Sequence, residues 1–139
     1  MLAADKKILV ENSFQKSPML QMYQAKLEAL DSDFFSISIP KQDYMVRAAG
    51  MFNGSVIASL VDASSGFAAV CAKRNDCYVV TVELKINYLR PAIGDSLLSE
   101  SHVVKAGAKI AVIRTEIYAL TATKKVHVAT SLVTMMYLK

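Results

Sequence analysis

The stretch that decides the fold is NGSVIASLVDASSGFAAVCA, residues 53–72. It is too long for one strand, it is apolar on almost every side when wound as a helix, and it is rich in Ala, Ser and Gly. A helix that is apolar nearly all round is a buried helix, and its small side chains allow a sheet to approach closely. The sequence therefore predicts a long central helix over about residues 54–73.

Almost everything after this helix has the pattern of strands. In residues 78–90 the even positions are apolar up to Tyr88, whereas the odd positions include several polar residues. This period of two predicts a strand whose even-numbered side chains face the core. Turns of hairpin length then separate three further predicted strands, which cover residues 97–105, 110–120 and 126–138.

The residues before the central helix predict one more helix and two short strands. Ser17 and Pro18 have the form of an N-cap followed by proline at the first helical position. Apolar residues recur every three or four positions from there to Leu30, which predicts an N-terminal helix over about residues 17–30. Short strands are expected at residues 34–39 and 44–48. We expect one α+β domain, residues 1–139, with an antiparallel sheet around the central helix.

Composition excludes several classes of protein. With 53% hydrophobic residues the chain is not disordered, and the apolar surplus favours a buried interface with a second copy. The net charge of +4 comes without a run of like charges or an aromatic-basic motif, which argues against nucleic-acid binding. Asp62 and several Gly and Ser residues interrupt the apolar run of residues 48–72, so we expect no membrane span.

The two cysteines and the N-terminal residues indicate the cellular compartment in which the protein is expected. Cys71 and Cys77 have neither the number for a disulfide framework nor the spacing of a metal site. We therefore expect free thiols in a reducing compartment and no bound metal. The opening segment carries charges and lacks a long apolar run, unlike a signal peptide, so the expected location is the cytoplasm.

Asp62 is the first candidate functional residue. It is the only charged residue between Arg47 and Lys73, and it lies in the helix that is expected to be most buried. Burial of a lone carboxylate is costly unless the group is partnered or becomes neutral. One interpretation is a structural aspartate that hydrogen-bonds neighbouring Ser residues or lies where the helix meets solvent. The other is a general base or nucleophile.

The start of the central helix is the second candidate site. Gly50 and the Asn53-Gly54-Ser55 sequence give a flexible approach with little side-chain bulk. Free N–H groups and the positive end of the helix dipole could hold a carbonyl oxygen as it becomes an oxyanion. The alternative is that Asn53 or Ser55 serves only as the helix N-cap.

Helix geometry places these two candidates too far apart to act together within one chain. Eight residues separate Gly54 from Asp62, which is about 12 Å along a helix. A base must lie within about 3 Å of the group on which it acts. If both residues serve one site, that site must combine two subunits whose central helices lie side by side.

Two segments together resemble a known family. NGSVIASLVD (residues 53–62), followed by TVELKINYLRPA (residues 81–92) and Gly94-Asp95, is similar to hotdog-fold acyl-CoA thioesterases, in the phenylacetate-degradation (PaaI-like) branch of the 4-hydroxybenzoyl-CoA thioesterase superfamily. The resemblance implies a hotdog fold, assembly as a homodimer or as a dimer of dimers, and hydrolysis of an acyl-CoA at the subunit interface. It implies no cofactor except the CoA of the substrate.

The resemblance also implies roles for individual residues. Asp62 matches the catalytic acidic residue, which acts as a general base or as a nucleophile. Gly54 matches the glycine whose N–H polarises the thioester carbonyl from the partner subunit. Thr81 matches a Ser or Thr that helps to position water. Arg90 and Lys109 lie where relatives place contacts to the CoA phosphates, for which cationic side chains are suited.

Two positions depart from the family pattern. Asn53 stands where relatives usually have histidine, and an asparagine donates hydrogen bonds but does not titrate near neutral pH. Arg47 stands where relatives commonly have Asn or Gln, and it would keep the Asp62 carboxylate ionised if it came close. These departures favour the alternative function, a weakly active or non-catalytic acyl-CoA-binding hotdog protein.

Overall fold

A computed structural model describes residues 1–138 and contains three helices and six strands among them. One antiparallel sheet has the strand order β1-β2-β4-β5-β6-β3 and wraps around α3. This arrangement confirms the predicted α+β architecture. The elements are α1 (Ala4–Lys16), α2 (Pro18–Met22), β1 (Lys26–Asp31), β2 (Phe34–Pro40), α3 (Gly54–Cys71), β3 (Tyr78–Tyr88), β4 (Ser96–Ala106), β5 (Ile110–Leu120) and β6 (Lys125–Leu138).

The central helix is found where the sequence predicts it. It ends at Cys71, two residues before the expected end, and its C-cap is Ala72. Leu60, Val61 and Ala68 are fully buried against the sheet. By length and composition α3 would be able to cross a membrane, but half of it is buried inside the fold. Such burial is typical of the core helix of a folded domain.

Two serines on α3 fix the helix against the sheet through buried hydroxyl groups. The Ser65 hydroxyl lies 2.7 Å from Thr115 Oγ1 on β5, and Ser64 lies 2.7 Å from Ser101 Oγ on β4. Ser101 and Thr115 are themselves 2.6 Å apart, and Ser99 donates to Ser64 at 2.9 Å. Every hydroxyl in this chain of contacts therefore has a partner, as buried polar groups require.

The predicted helix over residues 17–30 is wrong beyond its first turns. Ser17 does cap a helix, since its hydroxyl accepts a hydrogen bond from the Leu20 N–H at 3.4 Å, but that helix ends at Met22. The following segment is β1, in which a bulge lies between Leu27 and Ala29. A bulge adds one residue to the strand, so Leu27 and Leu30 are both partly buried although they are three residues apart. This spacing imitates a helix.

Helix α1 has no counterpart in the sequence prediction. Its buried residues Lys6, Val10 and Phe14 recur every four positions, and the Phe14 ring packs edge-on against Phe67 of α3 at 5.8 Å. The other positions of α1 are mostly polar or exposed.

The short strand expected at residues 44–48 is also wrong. This segment forms two short 3-10 turns, Asp43–Met45 and Ala48–Gly50, and residue 46 between them makes only an isolated bridge to residue 52.

A bulge in β3 changes which side chains face the helix. The register shifts between Thr81 and Glu83. After the bulge the even-numbered Leu84 is partly buried, as predicted, but before it Tyr78 is 73% exposed and Thr81 points toward α3. The expected core-facing pattern is therefore correct for only the second half of the strand. The bulge is what directs Thr81 toward Asp62.

Candidate active site

Asp62 and Thr81 form a hydrogen-bonded pair between α3 and β3. The Thr81 hydroxyl donates to Asp62 Oδ1 at 2.5 Å. Asp62 is exposed in the single chain, so the expectation of a desolvated carboxylate is wrong for one chain by itself: the buried side chains of α3 lie on its other sides, and Asp62 faces the end strand of the sheet. Among residues 1–138 no other hydrogen-bond donor or cation pairs with Asp62. Its second oxygen is open to react.

The Asp62 carboxylate opens into a cavity of about 830 Å³, which we call the first cavity. One wall is the exposed side of α3 with Gly66 and Val70, and the opposite wall is β3 with Val79. Helix α1 forms the third wall and contributes mainly polar residues such as Lys16. The cavity is therefore apolar along α3 and β3 and polar at its rim.

Gly54 begins α3, eight residues before Asp62 on the same helix. The Tyr88 hydroxyl donates to the Gly54 carbonyl at 2.8 Å, and the Tyr88 ring is 3.4 Å from the place where a Cβ on Gly54 would lie. Within residues 1–138, no acceptor is bonded to the N–H groups of Gly54 and Ser55. These free donors at a helix start have the character required to bind an anionic oxygen.

Gly54 lines a second cavity of about 650 Å³, together with Arg47, Tyr88 and Arg90. Arg47 and Arg90 are exposed, and one guanidinium nitrogen of Arg90 donates to the His127 carbonyl at 2.9 Å. Neither Asp62 nor Thr81 lines this cavity. One chain thus presents the carboxylate in one cavity and the free helix N-terminus in another, in agreement with the separation estimated from helix rise.

Three other residues singled out in the sequence are placed away from Asp62. Asn53 is half-buried, and its amide donates to the Met45 carbonyl at 3.4 Å. Arg47 lines the second cavity and not the first. Lys109 is exposed in the turn between β4 and β5 and lines neither cavity. Their roles remain predictions.

Two residues of the site, Tyr88 and Cys77, have no signal in the sequence. Tyr88 holds the start of α3, but in the sequence it is one more aromatic residue in an alternating strand. Cys77 lines the first cavity, and partial burial raises the pKa of its thiol. Neither residue belongs to a local sequence motif, because each comes close to the site only when β3 and the residue before it pack against α3.

Comparisons with known proteins agree on the family. The model of the thioesterase superfamily matches residues 49–125. The medium/long-chain acyl-CoA thioesterase YigI of Escherichia coli K12 is 26% identical over 127 residues, which cover 81% of this chain and 82% of YigI. Among solved structures, a thioesterase family protein from Silicibacter pomeroyi is 26% identical with a TM-score of 0.92, and covers 96% of this chain and 98% of that one.

The fold is shared with more distant proteins as well. The PaaI protein from the phenylacetic acid degradation operon of E. coli superimposes with a TM-score of 0.88 at 16% identity, over 100% of this chain and 97% of PaaI. This likeness shows the hotdog fold. Because the family model covers more than half of the residues and includes both Gly54 and Asp62, the chain belongs to the thioesterase superfamily and is a thioester hydrolase.

Proposed function

We propose that the protein hydrolyses an acyl-CoA to the free acid and CoA at a site that two copies of the chain build together. The observation that carries this proposal is the pairing of Asp62 with Thr81 in one cavity while the free N–H of Gly54 lies in another. A base and an oxyanion donor must meet at one carbonyl group. Two subunits satisfy this requirement, whereas one chain does not.

The surfaces left uncovered by the fold support such a dimer. Strand β3 is the end strand of the sheet, and an unpaired edge of this length favours pairing with another strand. On α3, Ser55 and Asp62 are exposed and lie seven residues apart on one side of the helix, the side from which Asp62 contacts β3. Pairing of two β3 strands would continue the sheet and place two α3 helices side by side. The proposed assembly is a homodimer or a dimer of dimers.

Two chemical routes are compatible with this geometry. In the first, water attacks the thioester carbon while its proton passes to Asp62, and the C–S bond then breaks to release CoA. In the second, a carboxylate oxygen of Asp62 attacks, CoA thiolate leaves, and water hydrolyses the resulting anhydride. In both routes the Gly54 N–H of the other subunit stabilises the developing oxyanion, and the Thr81 hydroxyl orients the carboxylate.

The CoA portion is proposed to lie along the second cavity. Arg90 and the neighbouring Arg47 provide cations there, which suits the phosphates of CoA. Lys109 is retained as a proposed phosphate contact of the assembled protein. This chemistry uses a carboxylate, water and a backbone N–H, so we propose no cofactor beyond the CoA of the substrate, and we place the reaction in the cytoplasm.

The branch within the family is a proposal as well. The motif of residues 53–62 and Thr81 supports the PaaI-like branch. Asn53 departs from it, and its amide is engaged with the Met45 carbonyl. This observation favours the second candidate function, an acyl-CoA-binding protein with little or no turnover.

A thiol-release assay separates the two candidates. The assay compares wild type and Asp62→Asn on aryl- and alkyl-CoAs. The control is Asp33→Asn, which changes an exposed aspartate in the turn between β1 and β2. We expect Asp62→Asn to lose on the order of 10²-fold in kcat/KM, or about 2.7 kcal/mol, and Asp33→Asn to retain wild-type activity. If wild type binds CoA but releases no thiol, the binding function replaces the catalytic one.

A further inference from the structure

The exposed side of α3 changes character at Asp62. Toward the N-terminus the same side carries Ser59 and Ser55, three and seven residues before Asp62. Toward the C-terminus it carries Gly66 and Val70, four and eight residues after Asp62, and these two line the first cavity. Residues at these spacings lie on one face of a helix. An apolar group attached at the reacting carbon therefore finds apolar surface only toward the C-terminal half of α3.

Strand β3 and helix α1 form the other walls of this channel. The cavity is lined by Val79 of β3, by Cys77 directly before β3, and by Leu9 of α1, whose other lining residues are mainly polar. Helix α1 is held in place by buried Phe14, which packs on Phe67. The channel thus has fixed walls on three sides and begins at the carboxylate.

The length of the channel indicates which acyl group fits. From Asp62 to Val70 there are eight residues, which is about 12 Å along the helix axis. An extended alkyl chain with C–C bonds of about 1.5 Å advances about 1.25 Å per carbon, so about nine or ten carbons span this distance. A phenylacetyl group would occupy about half of it.

Gly66 lies midway along this channel and leaves the space open. A Cβ at Gly66 would lie 3.7 Å from Val79 Cγ2 and 3.8 Å from Met135 Cε. These are ordinary contacts, so alanine fits without displacing its neighbours, whereas a larger side chain would fill the gap between α3 and β3. Replacement of a helical glycine by alanine also favours the helix, by about 1 kcal/mol.

From this geometry we infer that the first cavity binds a linear acyl chain of medium length, about eight to ten carbons, and that Gly66 determines how far the chain extends past Asp62. This inference rests on the proposed acyl-CoA hydrolysis and adds its substrate class. Gly66 is a specificity-determining residue and takes no part in the reaction at the thioester carbon.

The test compares chain-length profiles of kcat/KM. The proteins assayed are wild type, Gly66→Ala, Gly66→Leu and the control Ala72→Leu. The substrates are acetyl-, butyryl-, octanoyl-, decanoyl-, palmitoyl- and phenylacetyl-CoA. Ala72 caps the same helix and lines neither cavity. We expect wild type to prefer octanoyl- or decanoyl-CoA, and Gly66→Leu to lose at least about tenfold on these, which is about 1.4 kcal/mol, while it retains activity on butyryl-CoA. Ala72→Leu should keep the wild-type profile.

A binding measurement keeps this inference separable from the proposed function. Calorimetry with decanoate, the free acid, requires no turnover: we expect binding to wild type and loss of binding in Gly66→Leu. If no thioester is hydrolysed but decanoate shows this pattern, the acyl channel stands and the proposed reaction is wrong. If wild type hydrolyses acyl-CoAs and both Gly66 variants keep its profile, or if wild type prefers phenylacetyl-CoA, the channel is wrong. Should Gly66→Leu not fold, Gly66→Val takes its place in both measurements, with the same expected loss on decanoyl-CoA and the same retention on butyryl-CoA.

Discussion

Replacement of Gly54 by proline removes one backbone hydrogen-bond donor from the site and changes little else. Gly54 is the first residue of α3, the position at which proline is favoured in helices. The preceding residue, Asn53, has φ −61° and ψ 140°, the extended conformation that a following proline requires. Gly54→Pro therefore eliminates the free N–H while the backbone keeps its course.

The expected effect follows from the role assigned to this N–H. Loss of one oxyanion donor typically lowers kcat by about 10²- to 10³-fold. Because both cavities are open to solvent in the single chain, we expect the lower end, about 10²-fold or 2.7 kcal/mol. KM should change much less, since the donor acts mainly on the charge that develops in the transition state.

Gly54→Ala is the matched control for this substitution. Alanine adds the same Cβ, 3.4 Å from the Tyr88 ring, but it keeps the N–H. Thiol release gives kcat for both variants, and urea unfolding checks that they are folded. Equal kcat values for Gly54→Pro and Gly54→Ala would refute the assignment of the Gly54 N–H as oxyanion donor.

Three more predictions concern the base, the core and a buried thiol. Thr81→Val removes the hydrogen bond to Asp62 and should lower kcat about tenfold, since hydrogen bonds to charged groups contribute about 1.5–3 kcal/mol and this one is exposed. The control Thr81→Ser keeps the hydroxyl and should retain activity. Full activity of Thr81→Val would contradict the role of this hydrogen bond. Thr115→Val leaves the buried Ser65 hydroxyl without a partner and removes one of the two partners of Ser101. It should lower the free energy of unfolding in urea by about 2 kcal/mol, against no change for exposed Thr123→Val. Burial raises the pKa of Cys71 to about 12, so the thiol of the unfolded chain loses its proton at a lower pH than the thiol of the folded chain. The free energy of unfolding should therefore fall above pH 9, by about 1 kcal/mol per pH unit from this thiol. A Cys71→Ala variant with the same dependence of stability on pH would contradict this assignment.

The elements that the sequence predicts well are the long ones. The central helix and the last three strands agree with the structure within a few residues, because each is long enough that a local register shift, as in the pairings of β4 with β5 and of β5 with β6, leaves most of its pattern intact. The prediction failed where a bulge interrupts the period: at Leu27 it made a strand look helical, and at Thr81 it reversed the side of β3 that faces α3.

The candidate site shows a similar division. Asp62, Gly54 and Thr81 stand out in the sequence because each is chemically unusual in its segment or matches the family motif. The sequence left the exposure of Asp62 as one of two alternatives, since an apolar helix does not reveal which of its sides the sheet covers. The contribution of α1 to the first cavity was hidden as well, because only every fourth residue of that helix is buried.

Subunit complementation measures whether Asp62 of one subunit and Gly54 of the other act in the same site. Asp62→Asn and Gly54→Pro chains, each inactive alone, are given different affinity tags, co-expressed and purified as the mixed oligomer through both tags. In a mixed dimer with composite sites, one site carries both defects and the other carries none. We expect the mixed dimer to regain about half of the wild-type activity per dimer. Activity no higher than that of the two parent variants would contradict a site shared between subunits.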